Sequence, residues 1–312
     1  MGFWFSADLW QLTLQATAAL LFVSFGVYLP MRAGVLVLGA EGAMLFGCFG
    51  AIAAQVLTDG GALAGLLGAV AASTCASALF AAVAISGRVN PIVTGIALNF
   101  IAVGGTSVLT AVLFAGEGTI VTPSLEPLPR IELPIVESVP WLGDVVSGQT
   151  IVLYAAVLTT PLLALWLNRT RGGLTTRVVG SAPAVAVAAG RSPARTQWIA
   201  LVVGGVFIGL GGAQLALASA AQFSPGMTNA RGFIALALVL IAAQRPWLLL
   251  PLAITFAYFD TLGFNLQNIG LPTELSGVLP YVAIIAMLAV PSIARRFRPD
   301  AAAEAGGSRV VP

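Results

Sequence analysis

The chain has 312 residues, of which 58% are hydrophobic and only 8% are charged, with a mean hydropathy of +0.98. Soluble domains carry about 25% charged residues, so this composition excludes a soluble globular protein and predicts an integral membrane protein. The net charge is +2, and all fourteen basic residues are arginine.

The missing residue types exclude several classes of enzyme. Without histidine the chain has no Ser-His-Asp triad and no histidine metal site. Without lysine it has no nucleotide-binding P-loop. We therefore predict a non-enzymatic protein with no catalytic residues, no metal and no cofactor. Nucleic acid is not among its predicted partners.

Apolar segments of about 20 residues cross the hydrocarbon core of a membrane as helices. The sequence predicts an all-α polytopic protein with about nine such helices, within a range of eight to ten. The predicted spans are 9–29, 34–57, 62–85, 92–114, 151–167, 198–218, 233–243, 248–263 and 277–294. The second and seventh are interrupted by glycine or polar residues, so either is expected to be re-entrant or broken. The first residues lack the basic region and cleavage site of a signal peptide, and none is expected.

The segment 168–197 sets the predicted orientation. It contains five arginines and no acid between two apolar spans, and such loops stay in the cytoplasm. Alternation then places Arg32, Arg88, Arg245 and the cluster at 295–298 on the same side. The acid-rich loop 115–148 and the N-terminus fall outside, and the tail 299–312 is predicted to be disordered in the cytoplasm.

A short helix is predicted inside this basic segment. Ser181 is a candidate N-cap, Pro183 suits the first turn, residues 184–189 continue the helix and Gly190 is a candidate C-terminal cap. Two turns are unstable alone in water, so this helix must lie on something. It is either an ordinary connector or a docking helix for a soluble partner.

Four residues in the spans are candidates for a pathway or gate, because polar groups in a membrane are costly. Glu41 either breaks a helix at a gate, or caps a helix or pairs with Arg32 near the interface. Asp260 either faces the pathway or forms a structural pair. Asn99 is either an interhelical hydrogen-bond donor or a substrate contact, and Phe100 either stacks on a planar ligand or faces lipid or neighbouring helices.

A faint internal repeat joins residues 33–38 to residues 231–236, on opposite predicted sides of the membrane. Inverted repeats of this kind often enclose the transport pathway at their interface. Chance similarity between two apolar stretches is the alternative.

The basic segment also resembles a known family. The pattern Arg177-x-x-Gly180-x-x-Pro183-x-x-Ala186-x-x-x-Gly190 is similar to the cytoplasmic coupling segment of ABC-importer permeases of the branched-chain amino-acid, simple-sugar and nucleoside group. The resemblance covers residues 30 to 292. Three further stretches agree in order: Leu38-Gly-Ala-Glu-Gly42, Asn90-Pro-Ile-Val-Thr-Gly-Ile-Ala-Leu-Asn99, and Gly232-Phe-Ile-Ala-Leu-Ala237 with Pro246 and Pro280-Tyr281.

The resemblance implies a permease domain over residues 1–298, in the cytoplasmic (inner) membrane of a bacterium. It implies transport of a small polar solute by ATP-driven alternating access, with a nucleoside or simple sugar as the expected solute. The implied partners are cytosolic ABC ATPase subunits that bind the coupling segment, a second identical or paralogous permease chain, an extracytoplasmic substrate-binding lipoprotein and membrane lipid. An ion-coupled secondary transporter is the alternative function, and a non-transporting membrane scaffold is a third.

Overall fold

The protein is seen in a computed structural model that describes residues 6–114, 119–121, 126–132, 141–243, 245–268, 278–283, 285 and 289. These ranges are mainly helical, which confirms the predicted all-α polytopic class. The helices are α1 (Ala7–Arg32), α2 (Ala40–Thr58), α3 (Ala62–Ala81, continued as a π-helix over Ala82–Ser86), α4 (Pro91–Leu113), α5 (Leu142–Val146), α6 (Ile151–Arg169), α7 (Arg171–Ser181), α8 (Pro183–Ala188), α9 (Pro193–Ala213, continued as a π-helix over Gln214–Ala220), α10 (Arg231–Ala242) and α11 (Leu249–Asn268).

Among the described residues, seven helical stretches are long and apolar enough to cross a membrane. They correspond to all the predicted spans except the seventh and the ninth. The seventh is α10, whose twelve residues reach only about 18 Å at the rise of an α-helix. The ninth lies largely outside the described residues, of which 278–283, 285 and 289 are helical. The tail 299–312 and the basic cluster at 295–298 lie wholly outside them.

Helix α1 is the central element of the bundle. It is buried on every side from Thr17 to Pro30, as expected of a helix that is apolar all round. The helices α9, α10, α11 and α6 pack against it. Because α1 has no polar face, its position is fixed by helices around its whole circumference.

Glycines bring several of these helices into backbone contact, which is typical of membrane helices that pack through small residues. In α9, a Cβ atom at Gly209 would lie 2.7 Å from the Ala69 carbonyl oxygen of α3. Where α2 crosses α3, a Cβ atom at Gly50 would lie 2.5 Å from the Gly68 carbonyl oxygen and 2.6 Å from the Ala72 Cβ atom. No side chain can enter these crossings without moving a helix.

The predicted second span begins later than expected. Residues 33–39 are not helical, and α2 starts only at Ala40. Gly34 has a φ of +85°, a left-handed conformation that glycine adopts without strain. The predicted start at residue 34 is therefore wrong, and the second span is one uninterrupted helix over Ala40–Thr58 rather than a broken one.

The two stretches of the faint repeat differ in structure, and the inverted repeat stays a prediction. Residues 33–38 are non-helical, whereas residues 231–236 form the first turns of α10. The starts of the two nearby helices, at Gly39-Ala-Glu-Gly42 for α2 and at Asn229-Ala-Arg-Gly232 for α10, share one feature. The Gly42 and Gly232 amides each donate to a side chain from another helix.

The connections predicted to face one side lie together. Gln197 Nε2 donates to the Ala33 carbonyl oxygen at 3.2 Å, and Trp198 Nε1 donates to Ser86 Oγ at 3.0 Å. At the other end, strands β1 (Arg130–Ile131) and β2 (Gln149–Thr150) form a small antiparallel sheet. The sidedness relative to the cytoplasm stays a prediction.

The α2–α3 crossing generates a stability prediction. Gly50→Ala should destabilise the protein by about 1–3 kcal/mol, the usual cost of overpacking, because its Cβ atom meets the Gly68 backbone. Thermal unfolding in detergent measures the change. The control is Gly104→Ala in α4, which gains the same helix propensity but has nothing within 4 Å of its Cβ position. Equal melting temperatures for the two variants would contradict this packing.

Candidate functional site

The centre of the site is the Glu41 carboxylate, in the first turn of α2. Its Oε1 atom accepts hydrogen bonds from Thr228 Oγ1 at 2.6 Å and from the Ala230 amide at 2.9 Å. Its Oε2 atom accepts from the Gly232 amide at 2.6 Å. Glu41 therefore caps the N-terminus of α10, a helix almost 200 residues away in sequence.

Helix α10 needs this external cap. Its N-cap residue, Ala230, has no side chain able to accept a hydrogen bond. Asn229 and Ala230 also adopt positive φ angles of 44° and 62°, which cost free energy for residues other than glycine. A carboxylate at a helix N-terminus compensates through charge-assisted hydrogen bonds and the helix dipole. Glu41 thus holds α10 at a fixed place beside α2.

A second side chain from a distant helix caps α2 in the same way. Asn99, in α4, accepts from the Gly42 amide through Oδ1 at 2.8 Å and donates through Nδ2 to the Leu38 carbonyl oxygen at 3.0 Å. The N-cap of α2 is Gly39, which has no side chain. The Asn99 amide therefore bonds both to the first turn of α2 and to the non-helical connection that precedes it.

Asp260 and Arg231 form an ion pair next to this junction, with 3.2 Å between Arg231 Nη2 and Asp260 Oδ2. Arg231 is the first residue of α10, where a cation is unfavourable because of the helix dipole. Asp260 on one side and Glu41 on the other offset that charge. Asp260 therefore forms a structural pair and also lines a recess, and its place on a transport pathway stays a prediction.

That recess has a volume of about 540 Å³ and lies between α1, α10 and α11. Its walls combine amide, hydroxyl and charged groups with aromatic rings. The residues that define its character are Gln15, Asn229, Arg231, Asp260, Thr261, Phe256, Phe264 and Tyr281.

Phe100 is not brought to this site. It is 75% exposed on the outer face of α4, although its neighbour Asn99 points to the junction. The structure therefore joins Glu41, Asn99 and Asp260 around the starts of α2 and α10 and leaves Phe100 apart.

The basic segment has more helix than the sequence predicted. Helix α6 runs to Arg169, and α7 follows over Arg171–Ser181. Ser181 does not cap the next helix, because its hydroxyl donates to the Arg177 carbonyl oxygen within α7. The short predicted helix is present as α8, with Ala182 as its N-cap.

Gly190 ends α8 as predicted. Its φ is +73°, its amide donates to the Val187 carbonyl oxygen at 2.9 Å, and the Arg191 amide donates to the Ala186 carbonyl oxygen at 2.9 Å. These two bonds form a Schellman motif. Ala186 is the buried residue of α8, whereas Pro183 and two valines, Val185 and Val187, are exposed.

The end of α7 contacts the non-helical connection between α1 and α2, residues 33–39. Gly180 lies so close that a Cβ atom there would stand 3.0 Å from the Gly34 amide nitrogen and would collide with the Arg32 carbonyl oxygen. Arg177 lies one turn earlier and is half-buried, with its Nε atom unpaired among the described residues. The basic segment is thus joined by packing to the connection that leads to Glu41.

Sequence reasoning missed Arg231 and Thr228 as members of the junction. Arg231 could have been found, because a lone arginine beside an apolar segment requires a partner and Asp260 is an acid inside a nearby span. Thr228 carried no such signal. Its role depends on the turn that brings it to Glu41.

Comparison with known proteins agrees with this architecture. Residues 11–288 match the family described as branched-chain amino acid transport system / permease component. The chain is 32% identical to the putative glucose ABC transporter permease protein of Haloferax volcanii over 283 residues, which is 88% of this chain and 84% of the relative. It is 30% identical over 288 residues to the guanosine ABC transporter permease protein of Bacillus subtilis, covering 88% and 89% of the two chains.

A third relative, the nucleoside ABC transporter permease protein of Lactococcus lactis subsp. cremoris, is 29% identical over 282 residues, covering 87% and 88%. No solved structure matches the chain. The predicted multi-pass location in the inner membrane is confirmed by the apolar helices together with these relatives. With nearly its whole length matched, the chain belongs to the branched-chain amino acid transport system / permease component family of ABC transporter permeases.

Proposed function

We propose that this permease carries a sugar or a nucleoside and is driven by cytosolic ATPases that bind α7 and α8. The observation that carries the proposal is the contact of Gly180 with the connection between α1 and α2. Through it, a force on the basic segment reaches the starts of α2 and α10. An ion-coupled carrier would have no use for an exposed helix braced in this way.

The surface of α8 supports ATPase binding. Its six residues expose Val185 and Val187, each 60% accessible, while Ala186 is 1% accessible and anchors the helix to the protein. Exposed apolar groups at the end of a helical bundle typically mark a protein contact. Of the five predicted coupling residues, Pro183 lies on the docking face together with Val185 and Val187. Gly180, Ala186 and Gly190 fix the position of that face. Arg177 is half-buried in α7, one turn before Gly180.

The recess beside α10 supports a polar, uncharged solute. Its volume of about 540 Å³ is in the range of small-molecule sites. The charges of Arg231 and Asp260 compensate each other, which leaves amide and hydroxyl groups for hydrogen bonding and aromatic rings for stacking. Sugars and nucleosides carry hydroxyl groups and a flat or apolar face, and the substrates named for the relatives are glucose, guanosine and nucleosides.

The start of α10 supplies a moving part for alternating access. A twelve-residue helix preceded by the non-helical residues 221–230 is a discontinuous span, the kind of element that lines pathways in transporters. It is attached to α2 by Glu41 and to α11 by Arg231 and Asp260. A shift of the α1–α2 connection would therefore alter the walls of the recess. A second permease chain and an extracytoplasmic lipoprotein receptor complete the proposed importer.

The docking face generates the first functional prediction. Val185→Asp with Val187→Asp should abolish co-purification of the ATPase and reduce uptake at least about tenfold, because one buried charge at an interface costs more than the ~1.4 kcal/mol that a tenfold change represents. Val121→Asp is the control, since Val121 is also 60% exposed but lies at the opposite end. Unchanged ATPase binding by the double variant would count against docking on α8.

The Glu41 cap generates the second functional prediction. Glu41→Gln replaces one acceptor oxygen by an NH₂ group that opposes an amide donor, so uptake should fall on the order of tenfold from the loss of charge-assisted hydrogen bonds. The matched control is Glu126→Gln, because Glu126 Oε2 also accepts from a helix-start amide, that of Ala62 at 2.9 Å, far from the recess. If both variants transport equally well, Glu41 has no special part in transport.

The recess generates the third functional prediction. Gln15→Ala should raise the apparent KM for uptake by roughly tenfold while ATPase binding stays intact, since one hydrogen bond to solute is worth about 1 kcal/mol or slightly more. Gln11→Ala, one turn earlier in α1, is the control because Gln11 Nε2 donates to the Asp144 carbonyl oxygen instead. An unchanged KM for Gln15→Ala would place solute binding elsewhere.

A further inference from the structure

A second large cleft opens between α6 and α9, away from the recess. Both helices pack on α1 and separate above it, which leaves a cleft of about 730 Å³ whose floor includes Leu29 of α1. Its basic end is closed by α7 and by the residues that follow α8. Neither Glu41 nor Asp260 lines it.

The basic end of the cleft carries two arginines, Arg191 and Arg195. Within the part of the chain that the structure describes, neither guanidinium group forms an ion pair. Helix α9 starts between the two arginines in sequence, and Ser192 caps it. Its N-terminus adds the positive end of a helix dipole. This end of the cleft therefore attracts an anion.

Three threonine hydroxyls beside the arginines face the same space. Each donates to a carbonyl oxygen of its own helix, so its oxygen atom remains available as an acceptor. The three are Thr175, Thr176 and Thr196. An anionic group that also carries hydroxyl donors would satisfy both the guanidinium groups and these oxygens.

The rest of the cleft is apolar and deep. It extends along α9 from Arg195 to Phe207, which is about 18 Å at the rise of an α-helix. Leu162, Ile199 and Val203 line this part. The length is close to half of the ~30 Å hydrocarbon core of a bilayer, as required for one acyl chain that starts at the arginines.

Trp166 fixes the level of the basic end in the membrane. It lines the cleft one turn before α6 ends at Arg169. Tryptophan is enriched where the headgroups meet the hydrocarbon core, and basic pockets between spanning helices bind anionic headgroups. The arginines thus lie at the depth of lipid phosphates, with the apolar cleft below them.

We propose that this cleft binds one anionic phospholipid with a hydroxylated headgroup, of the phosphatidylglycerol type. Arg191 and Arg195 bind the phosphate, the threonine oxygens accept from the headgroup hydroxyls, and one acyl chain lies between α6 and α9. The lipid bridges α6, α7 and α9, so it braces the segment that carries α8. The site is independent of solute transport and can be tested without it.

The test is native mass spectrometry of the purified chain relipidated with equal amounts of phosphatidylglycerol and phosphatidylcholine. The wild-type protein should retain phosphatidylglycerol. Arg191→Gln with Arg195→Gln should lower the ratio of bound phosphatidylglycerol to phosphatidylcholine by roughly thirty-fold, from the loss of two arginine contacts with an anionic headgroup. The control, Arg169→Gln with Arg171→Gln, removes the same charge from exposed positions in the same segment and should keep the preference.

A second variant separates a lipid from a free anion. Ile199→Trp fills the apolar part of the cleft and should displace the lipid while both arginines remain. Retention of the lipid by Ile199→Trp, or its displacement from the wild-type protein by inorganic phosphate, would overturn the proposal. If both double arginine variants lose the preference for phosphatidylglycerol equally, the preference reflects general surface charge, and the proposal is overturned. Absence of phosphatidylglycerol from the wild-type protein, as when a second permease chain occupies the cleft, would also overturn it.

Discussion

The arrangement of this permease depends on one carboxylate that caps a helix from another part of the chain. Glu41 accepts from the amides of Ala230 and Gly232 and from the Thr228 hydroxyl. A buried helix start without a partner would leave several amide groups unsatisfied, at a cost of about 1–3 kcal/mol each. The interrupted span around α10 is tolerated in the membrane because Glu41 supplies those bonds. These hydrogen bonds offset the free-energy cost of placing an acid in a span, and they fix the position of α10.

The helices next to the Glu41 cap are held in two different ways, by close backbone packing on one side and by side-chain hydrogen bonds on the other. Glycine crossings fix α3 against α2 and α9 through backbone contacts, and α1 is buried all round. The connection between α1 and α2, by contrast, is non-helical and is held by side chains, Asn99 from within the bundle and Gln197 from the basic segment. A few hydrogen bonds can rearrange more readily than an interlocked glycine crossing. This difference places the adjustable part of the molecule between the basic segment and the recess.

The basic segment combines several tasks because of where its helices lie. Its arginines predict the orientation of the chain, α8 exposes two valines, Gly180 touches the α1–α2 connection, and Arg191 and Arg195 line the basic end of the cleft between α6 and α9. The proposed docking face at Val185 and Val187 and the proposed lipid site at Arg191 and Arg195 involve different side chains of one short stretch.

The sequence by itself determined the membrane class, most of the spans, the short helix ended by Gly190 and the family. Hydropathy and Arg/Gly patterns are local properties, and they report directly on helices that must satisfy their own backbone in lipid. The helix α7, the late start of α2 and the identity of the helix that Glu41 caps were not predicted. Only the tertiary structure decided the starts of α2 and α10, because they depend on caps supplied from distant helices: Glu41 for α10 and Asn99 for α2. A side chain in one span carries no local mark of the helix end that it will satisfy, so that pairing appears only when the helices are packed.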